Sequence, residues 1–247
     1  VKHRETADRE PPAVHRLPPT AKTRRLDIRL SLDPLGFSVR EAASIAATFA
    51  AAKSRNPALF DGPILLFAPP AVDGARLSAT GYRTRYSSLT TLIAHPEKGR
   101  DAYNLFGAAA IVGSDGGVVL GRMGPRTAGP GELKFPGGTP DEEDVTASGG
   151  VDIVGSIVRE LAEETGLSAA EARLDETLLL VDDHPFYAIV GVLRFPETAE
   201  RLAERVRAFL AADPEPELAG VEVVRDPAAL DPAVVPAYTR AALARLL

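Results

Sequence analysis

Cysteine is absent from the 247 residues. Its absence removes disulfides, thiolate nucleophiles, zinc fingers and iron–sulfur clusters together, and leaves oxygen or imidazole as the donors for any metal. A surplus of positive charge is missing too. Thirty-four acids stand against 28 Lys and Arg, a net of −6, so nucleic acid is not an expected partner, although a basic pocket inside an acidic shell is compatible with that balance. No stretch approaches the roughly 18 apolar residues that a membrane span needs. The most apolar helical run, Glu41 to Ala52, is interrupted by Ser44 and Thr48. The first residues show neither the apolar core nor the cleavage site of a secretory signal, and the expected location is the cytoplasm, with no membrane partner. A repeat of fixed period is also lacking, which sets aside solenoids and propellers. What is present is the balance of a globular chain, 45% apolar and 25% charged, long enough for one large domain or for a small one and a medium one.

The pattern divides the chain into a tail and two modules. Residues 1–25 hold seven Lys or Arg, three acids and four prolines with few large apolar side chains, which reads as a flexible tail or, alternatively, a weak basic arm for a polyanion. Residues 26–100 read as a small α+β module. Alternation from Leu26 to Leu32 suits a strand, Ser38-Val39-Arg40-Glu41 fits a capping box opening an Ala-rich helix to about Ser54, and Asn56-Pro57 ends it. Strands follow at Pro63 to Ala68 and Ala75 to Tyr86. The second module, 101–247, opens with a hairpin (Phe106 to Val112, turn at Ser114 to Gly117, Val118 to Arg122). A glycine-rich loop (Thr127 to Gly138), an acidic loop and a helix over about Val151 to Thr165 come next. Strands at Thr177 to Val181 and Phe186 to Phe195, a helix from about Glu197 to Ala211, a strand at Val221 to Val224 and a helix at Val234 to Leu246 complete it. The fold class is mixed α/β.

The chemistry concentrates in Arg159-Glu160-Leu161-Ala162-Glu163-Glu164-Thr165-Gly166-Leu167. Ile153, Val154, Ile157 and Leu161 recur at helical spacing as a buried stripe, while Glu160, Glu163 and Glu164 at i, i+3 and i+4 share another face. A glutamate-rich helix end is often only a solvated face. Here the three acids repel one another, and two stand where the helix dipole disfavours negative charge, so a cation between them relieves a cost. Oxygen ligands favour Mg²⁺ or Mn²⁺, ions that also recruit substrate phosphates.

This segment resembles the second half of the Nudix box, G-x5-E-x7-R-E-U-x-E-E-x-G-U with U a bulky aliphatic, and meets all seven fixed positions between Arg159 and Leu167. Leu133-Lys134-Phe135-Pro136-Gly137-Gly138 is similar to the strand and loop that precede the box. The first half departs from the pattern: Gly138 lies 21 residues before Arg159 where the box expects 14, so seven residues are extra. Counted back from Arg159, Val151 occupies the place of the first box glutamate, the usual partner of the arginine, and Asp152 or Glu163 are the substitutes in view.

The resemblance implies a Nudix α/β/α sandwich with a mixed sheet and Mg²⁺- or Mn²⁺-dependent hydrolysis of a nucleoside diphosphate linked to another moiety. By position, Glu160, Glu163, Glu164 and the Gly137 carbonyl are the implied metal ligands, Arg159 orients the cluster, and a downstream acid, Glu222 first and Glu217 second, serves as base. Arg122, Arg126 and Lys134 are implied phosphate-binding cations, the alternative being a solvated hairpin edge. Tyr187, in Asp183-His184-Pro185-Phe186-Tyr187, is a candidate to stack or hydrogen-bond a base, or else a core aromatic beside a turn. Asn56 to Pro63 and Thr80 to Arg83 are similar to the region before the Nudix domain in the UDP-glucose and UDP-galactose pyrophosphatase branch, which implies UMP and a sugar 1-phosphate as products. The competing readings are a Nudix hydrolase of ADP-ribose, NADH or coenzyme A, and a degenerate module that binds nucleotide without turnover, the latter motivated by Val151.

Overall fold

The computed structural model describes residues 13–16, 26–127 and 129–247. In chain order its elements are β1 (Ala13–Arg16), β2 (Leu26–Leu30), α1 (Gly36–Arg40), α2 (Ala42–Arg55), β3 (Pro63–Phe67), β4 (Ala71–Asp73), β5 (Arg76–Arg85), α3 (Tyr86–Ala94), β6 (Asn104–Val112), β7 (Val118–Met123), β8 (Leu133–Lys134), α4 (Ile153–Thr165), β9 (Arg173–Leu174), β10 (Leu179–Asp183), β11 (Phe186–Arg194), α5 (Ala199–Ala212), β12 (Leu218–Val224) and α6 (Ala237–Leu246). The tail expected over 1–25 lies outside the described residues except for β1, which pairs antiparallel with β10.

Two mixed sheets organise the described residues. The larger runs β1-β10-β11-β6-β7-β12, with β8 beside β7 and β9 beside β11, and its central pair β6–β11 is parallel. The smaller places β5 between β2, which runs parallel to it, and the antiparallel β3 and β4. All nine residues of β6 are buried, as a strand covered on both faces requires. Its alternate residues separate two cores. Leu105, Ala109 and Ile111 meet α4 and α5, whereas Phe106, Ala108, Ala110 and Val112 meet α6, so helices cover both faces of the sheet in three layers. In the smaller sheet Leu65 and Phe67 join the core of α4 and α5, while Leu66 faces the cluster built by α1, α2 and α3. The two sheets therefore share one hydrophobic core.

Two local departures from the sequence reading have physical causes. The capping box at Ser38 does not form: Ser38 lies inside α1, and its hydroxyl meets those of Thr84 (3.1 Å) and Ser88 (3.3 Å). Burial of Leu35 and Phe37 draws the helical start back to Gly36, and the chain breaks at Glu41. Helix α3 has no sequence signal, being rich in Ser and Thr, residues that compete with the helical backbone. It forms because Leu89 and Leu92 are buried and because the Asp61 carboxylate, brought across from the end of the Asn56 to Pro63 segment, accepts the Ser87 amide at 2.7 Å. Asp61 also pairs with Arg85, so this segment braces the module.

Candidate functional site

Helix α4 is placed by its ends and by one gap in the sheet. Asp152 is its N-cap, accepting the Gly155 amide at 2.9 Å, and Gly166 closes it in the left-handed region (φ 68°), where a side chain would meet Phe209. Ile153, Ile157 and Leu161 are buried, each contributing about 2 kcal/mol on burial. Val154 is only half-buried and Val158 exposed. The helix sits close to β6 because Gly107 has no side chain: a Cβ there would lie 2.6 Å from Ile157 Cγ1 and 3.1 Å from the Ile153 carbonyl. The loop before the helix is equally tight. A Cβ on Gly137 would collide with the Gly107 carbonyl, and one on Gly138 would come within 2.5 Å of Glu160 Oε1.

Arg159 is held by three acids. Its Nη2 reaches both oxygens of Asp144 (3.2 and 3.3 Å), and its Nη1 reaches Glu163 (3.0 Å) and Glu160 (3.2 Å). Asp144 is the residue that sequence reasoning missed. Counting back from Arg159 assumed that the extra residues precede the box acid, whereas counting forward from Gly138 puts Asp144 at the sixth position, where the box has glutamate. The insertion follows the acid and folds onto itself: Val145 bridges Val151, the Thr146 amide donates to Gly150 O (2.9 Å), and the Asp152 amide donates to Asp144 O (2.8 Å). Asp144 and the start of α4 are thus neighbours, as though residues 145–151 were not there. Of the two substitutes in view, Glu163 does pair with Arg159, but Asp152 is occupied as a helix cap.

The Asp144 side chain is 3% exposed and also caps the turn at Asp141, so Asp144→Asn is expected to cost about 2 kcal/mol, below the full loss of a buried pair because Glu160 and Glu163 remain on Arg159. Urea denaturation checks it, and an unchanged midpoint would count against the pairing.

The three glutamates are not equivalent. Glu163 is exposed and turned to Arg159, Glu160 is largely covered, and Glu164 is buried at 5% exposure with Oε2 unpartnered among the described residues. Burial pushes Glu160 up to about 7; Arg159 opposes this, and Glu163, Glu217 and Asp144 add to it. Burial also raises Glu164, reinforced by Glu217 and Glu160 and partly offset by Lys134 and the Gly137 amide. Burial works against the Arg159 charge, but Asp144, Glu160 and Glu163 outweigh it and hold the guanidinium above its ordinary value.

Among the described residues no group of three or more acids or histidines is placed to hold a metal ion. The fit to a hard cation rests instead on the donors present: an orphaned, buried carboxylate oxygen, a second largely buried carboxylate one helical turn away, and a third acid, Glu217, whose charge bears on both. A divalent ion bound by Glu160 and Glu164 would relieve the cost of both.

These shifts have a sign for stability. Both acids keep their protons longer folded than unfolded, so the metal-free protein is expected to lose stability as pH rises from the ordinary carboxylate value of 4.5 through about 7. Carboxylates held low, such as Asp115 beside Arg225, contribute the opposite slope only at lower pH. Thermal denaturation in chelator from pH 5 to 8 measures this, and the decline should flatten in a Glu160→Gln/Glu164→Gln double variant.

The remaining sequence candidates divide between the cluster and other parts of the fold. Glu222 pairs with Arg122 across β7 and β12, which occupies both, Arg122 also donating to Gly131 O at 2.9 Å. Glu217, the second choice of base, is the downstream acid that bears on Glu160 and Glu164. Arg126 pairs with Glu215 at 3.0 Å on the exposed rim. Lys134 lies near enough to draw Glu164 down. Tyr187 is a correction: at 2% exposure it sits in the core against Tyr103 and cannot stack on a base from solvent.

No family model matches the chain, and no curated protein matches it. Solved structures match parts of it. A MutT protein from Methanosarcina mazei Go1 is similar at 19% identity over 58% of this chain and 92% of that one, TM-score 0.36. A Nudix hydrolase from M. smegmatis, RenU, is similar at 16% identity over 57% and 81%, TM-score 0.36. A bifunctional NMN adenylyltransferase/ADP ribose pyrophosphatase from Francisella tularensis, complexed with AMP and an Mn ion, is similar at 19% identity over 49% and 34%, TM-score 0.30.

Proposed function

We propose that this chain is a divalent-metal-dependent Nudix-type pyrophosphatase that hydrolyses a nucleoside diphosphate joined to a second moiety, with residues 101–247 as the hydrolase domain and 26–100 as its N-terminal module. The observation that carries the reading is Glu164: a buried carboxylate with an orphaned oxygen, one turn from Glu160, inside the segment that matches the box. A buried, unpaired carboxylate is costly unless a cation meets it.

Glu160, Glu164 and the Gly137 carbonyl would hold Mg²⁺ or Mn²⁺, with Glu163 a further ligand or water-mediated partner. When bound, the ion neutralises diphosphate oxygens and lowers the barrier to attack by water. Arg159 keeps Glu160 in register through its contacts to Asp144 and Glu163. Lys134 supplies positive charge beside Glu164 for the departing phosphate. Glu217 accepts the proton of the attacking water, a role for which its position suits it better than that of Glu222. Water adds across the phosphoanhydride, so one phosphate leaves on each product.

The finer reading is a UDP-sugar, split into UMP and a sugar 1-phosphate in the cytoplasm. Its support is the similarity of residues 56–63 and 80–83 to the UDP-sugar branch. The test is a panel of UDP-glucose, UDP-galactose, ADP-ribose, NADH and coenzyme A with Mg²⁺ or Mn²⁺, with products separated by chromatography. UMP and sugar 1-phosphate, abolished by chelator, support the reading. Turnover confined to the other compounds overturns the substrate, and tight metal-dependent binding without product overturns the hydrolase in favour of a nucleotide-binding module.

A further inference from the structure

The loop that carries Asp144 is gripped from outside the hydrolase domain. At its start, the Leu65 amide of β3 donates to Pro140 O at 2.7 Å, two residues after Gly138. In its middle, Arg83 of β5 forms a two-pronged pair with Glu142, Nε to Oε1 at 2.6 Å and Nη2 to Oε2 at 3.1 Å. At its end, the inserted ribbon lies along β2: the Leu30 amide donates to Gly149 O and the Val151 amide to Ile28 O, both at 3.0 Å. Between these grips Asp141 and Asp144 close a capping box over the turn at residues 142–144, and Asp144 turns inward to Arg159.

A loop lengthened by seven residues should hold its acid less firmly, because added length adds disorder. The ribbon's own closure and the three outside contacts oppose that. We propose that the N-terminal module is the positioning element of the acid loop, with Arg83 and Glu142 as positioning residues that act through Asp144 and Arg159 on the carboxylate cluster. This builds on the hydrolase reading where metal binding is concerned; the positioning of Asp144 stands apart from it.

The pair lends itself to charge reversal because both side chains are about half exposed, so neither substitution opens a core. In the full chain, Arg83→Glu and Glu142→Arg are each expected to speed hydrogen exchange at the amides of residues 141–152 and to weaken Mn²⁺ binding by calorimetry, each by about three- to fivefold, the scale of one exposed ion pair. The double reversal should return both readouts toward wild type. Arg40→Glu serves as the control: Arg40, also in the N-terminal module, makes an equally two-pronged, equally exposed pair with Asp101, the first residue of the hydrolase domain, but does not touch the acid loop, and its loss should leave Mn²⁺ affinity unchanged.

Unchanged exchange in the single reversals overturns the proposal, as does faster exchange with wild-type Mn²⁺ affinity, a double reversal that restores neither, or an Arg40→Glu variant that weakens Mn²⁺ equally. A wild-type chain that binds no Mn²⁺ sinks the hydrolase reading instead, and the exchange arm then decides the positioning of the loop alone.

Discussion

Glu164→Gln is expected to lower turnover by roughly 100-fold or more while leaving the metal-free protein as stable as wild type, or more so, near neutral pH. On the proposed reading the change removes a ligand to a hard cation, since the amide carries no charge to hold it. The second follows from burial. Glu164 is 5% exposed, with neighbouring acids raising its pKa and one oxygen unpartnered, so its ionised form is a liability in the absence of a cation. The apolar stripe of Ile153, Ile157 and Leu161 is untouched by the change. Turnover and thermal denaturation in chelator, measured on the same preparation, test both halves. Equal turnover in variant and wild type would remove Glu164 from the chemistry, and a collapse in stability would make it a structural residue.

Gly107→Val should be the most damaging single change to the sheet, costing about 3 kcal/mol, at the upper end for an overpacked core. The new Cβ meets Ile157 at 2.6 Å and the Ile153 carbonyl at 3.1 Å, so α4 must lift from β6. Because Glu160 and Glu164 ride on that helix and Gly137 packs on the Gly107 carbonyl, turnover should fall with stability. Adding Ile157→Ala makes room for one of the two obstacles, and the double variant should recover part of the denaturation midpoint relative to the Gly107→Val chain. A midpoint that moves no further than for Ile157→Ala alone would show that helix and sheet do not need this closeness.

Much of the fold is legible in the residues themselves. The alternation along β2 and β5, the apolar run Phe106 to Val112 of β6 and the spacing of Ile153, Ile157 and Leu161 each have a direct physical reading, and the elements form close to where those patterns place them. Helix α3 was not legible, since its Ser- and Thr-rich sequence is turned helical by burial of Leu89 and Leu92 and by the distant Asp61. In the site, Arg159 and its helix could be placed because their spacing is local. Asp144 could not, because its contact with Arg159 depends on how an insertion folds, which spacing alone does not reveal. Tyr187 and Glu222 carry suitable chemistry, but whether a side chain meets solvent or a neighbouring strand's arginine is decided by the sheet's pairing.

The ribbon of residues 145–151 is pinned at its base by the Asp152 amide on the Asp144 carbonyl. The chain thus leaves and rejoins the acid at one point, with the apex around Ala147 and Ser148 lying beyond the contacts of Gly149 and Val151 to β2. A change of length at that apex which spared those two contacts would alter the spacing of the motif and leave Asp144 beside the start of the helix.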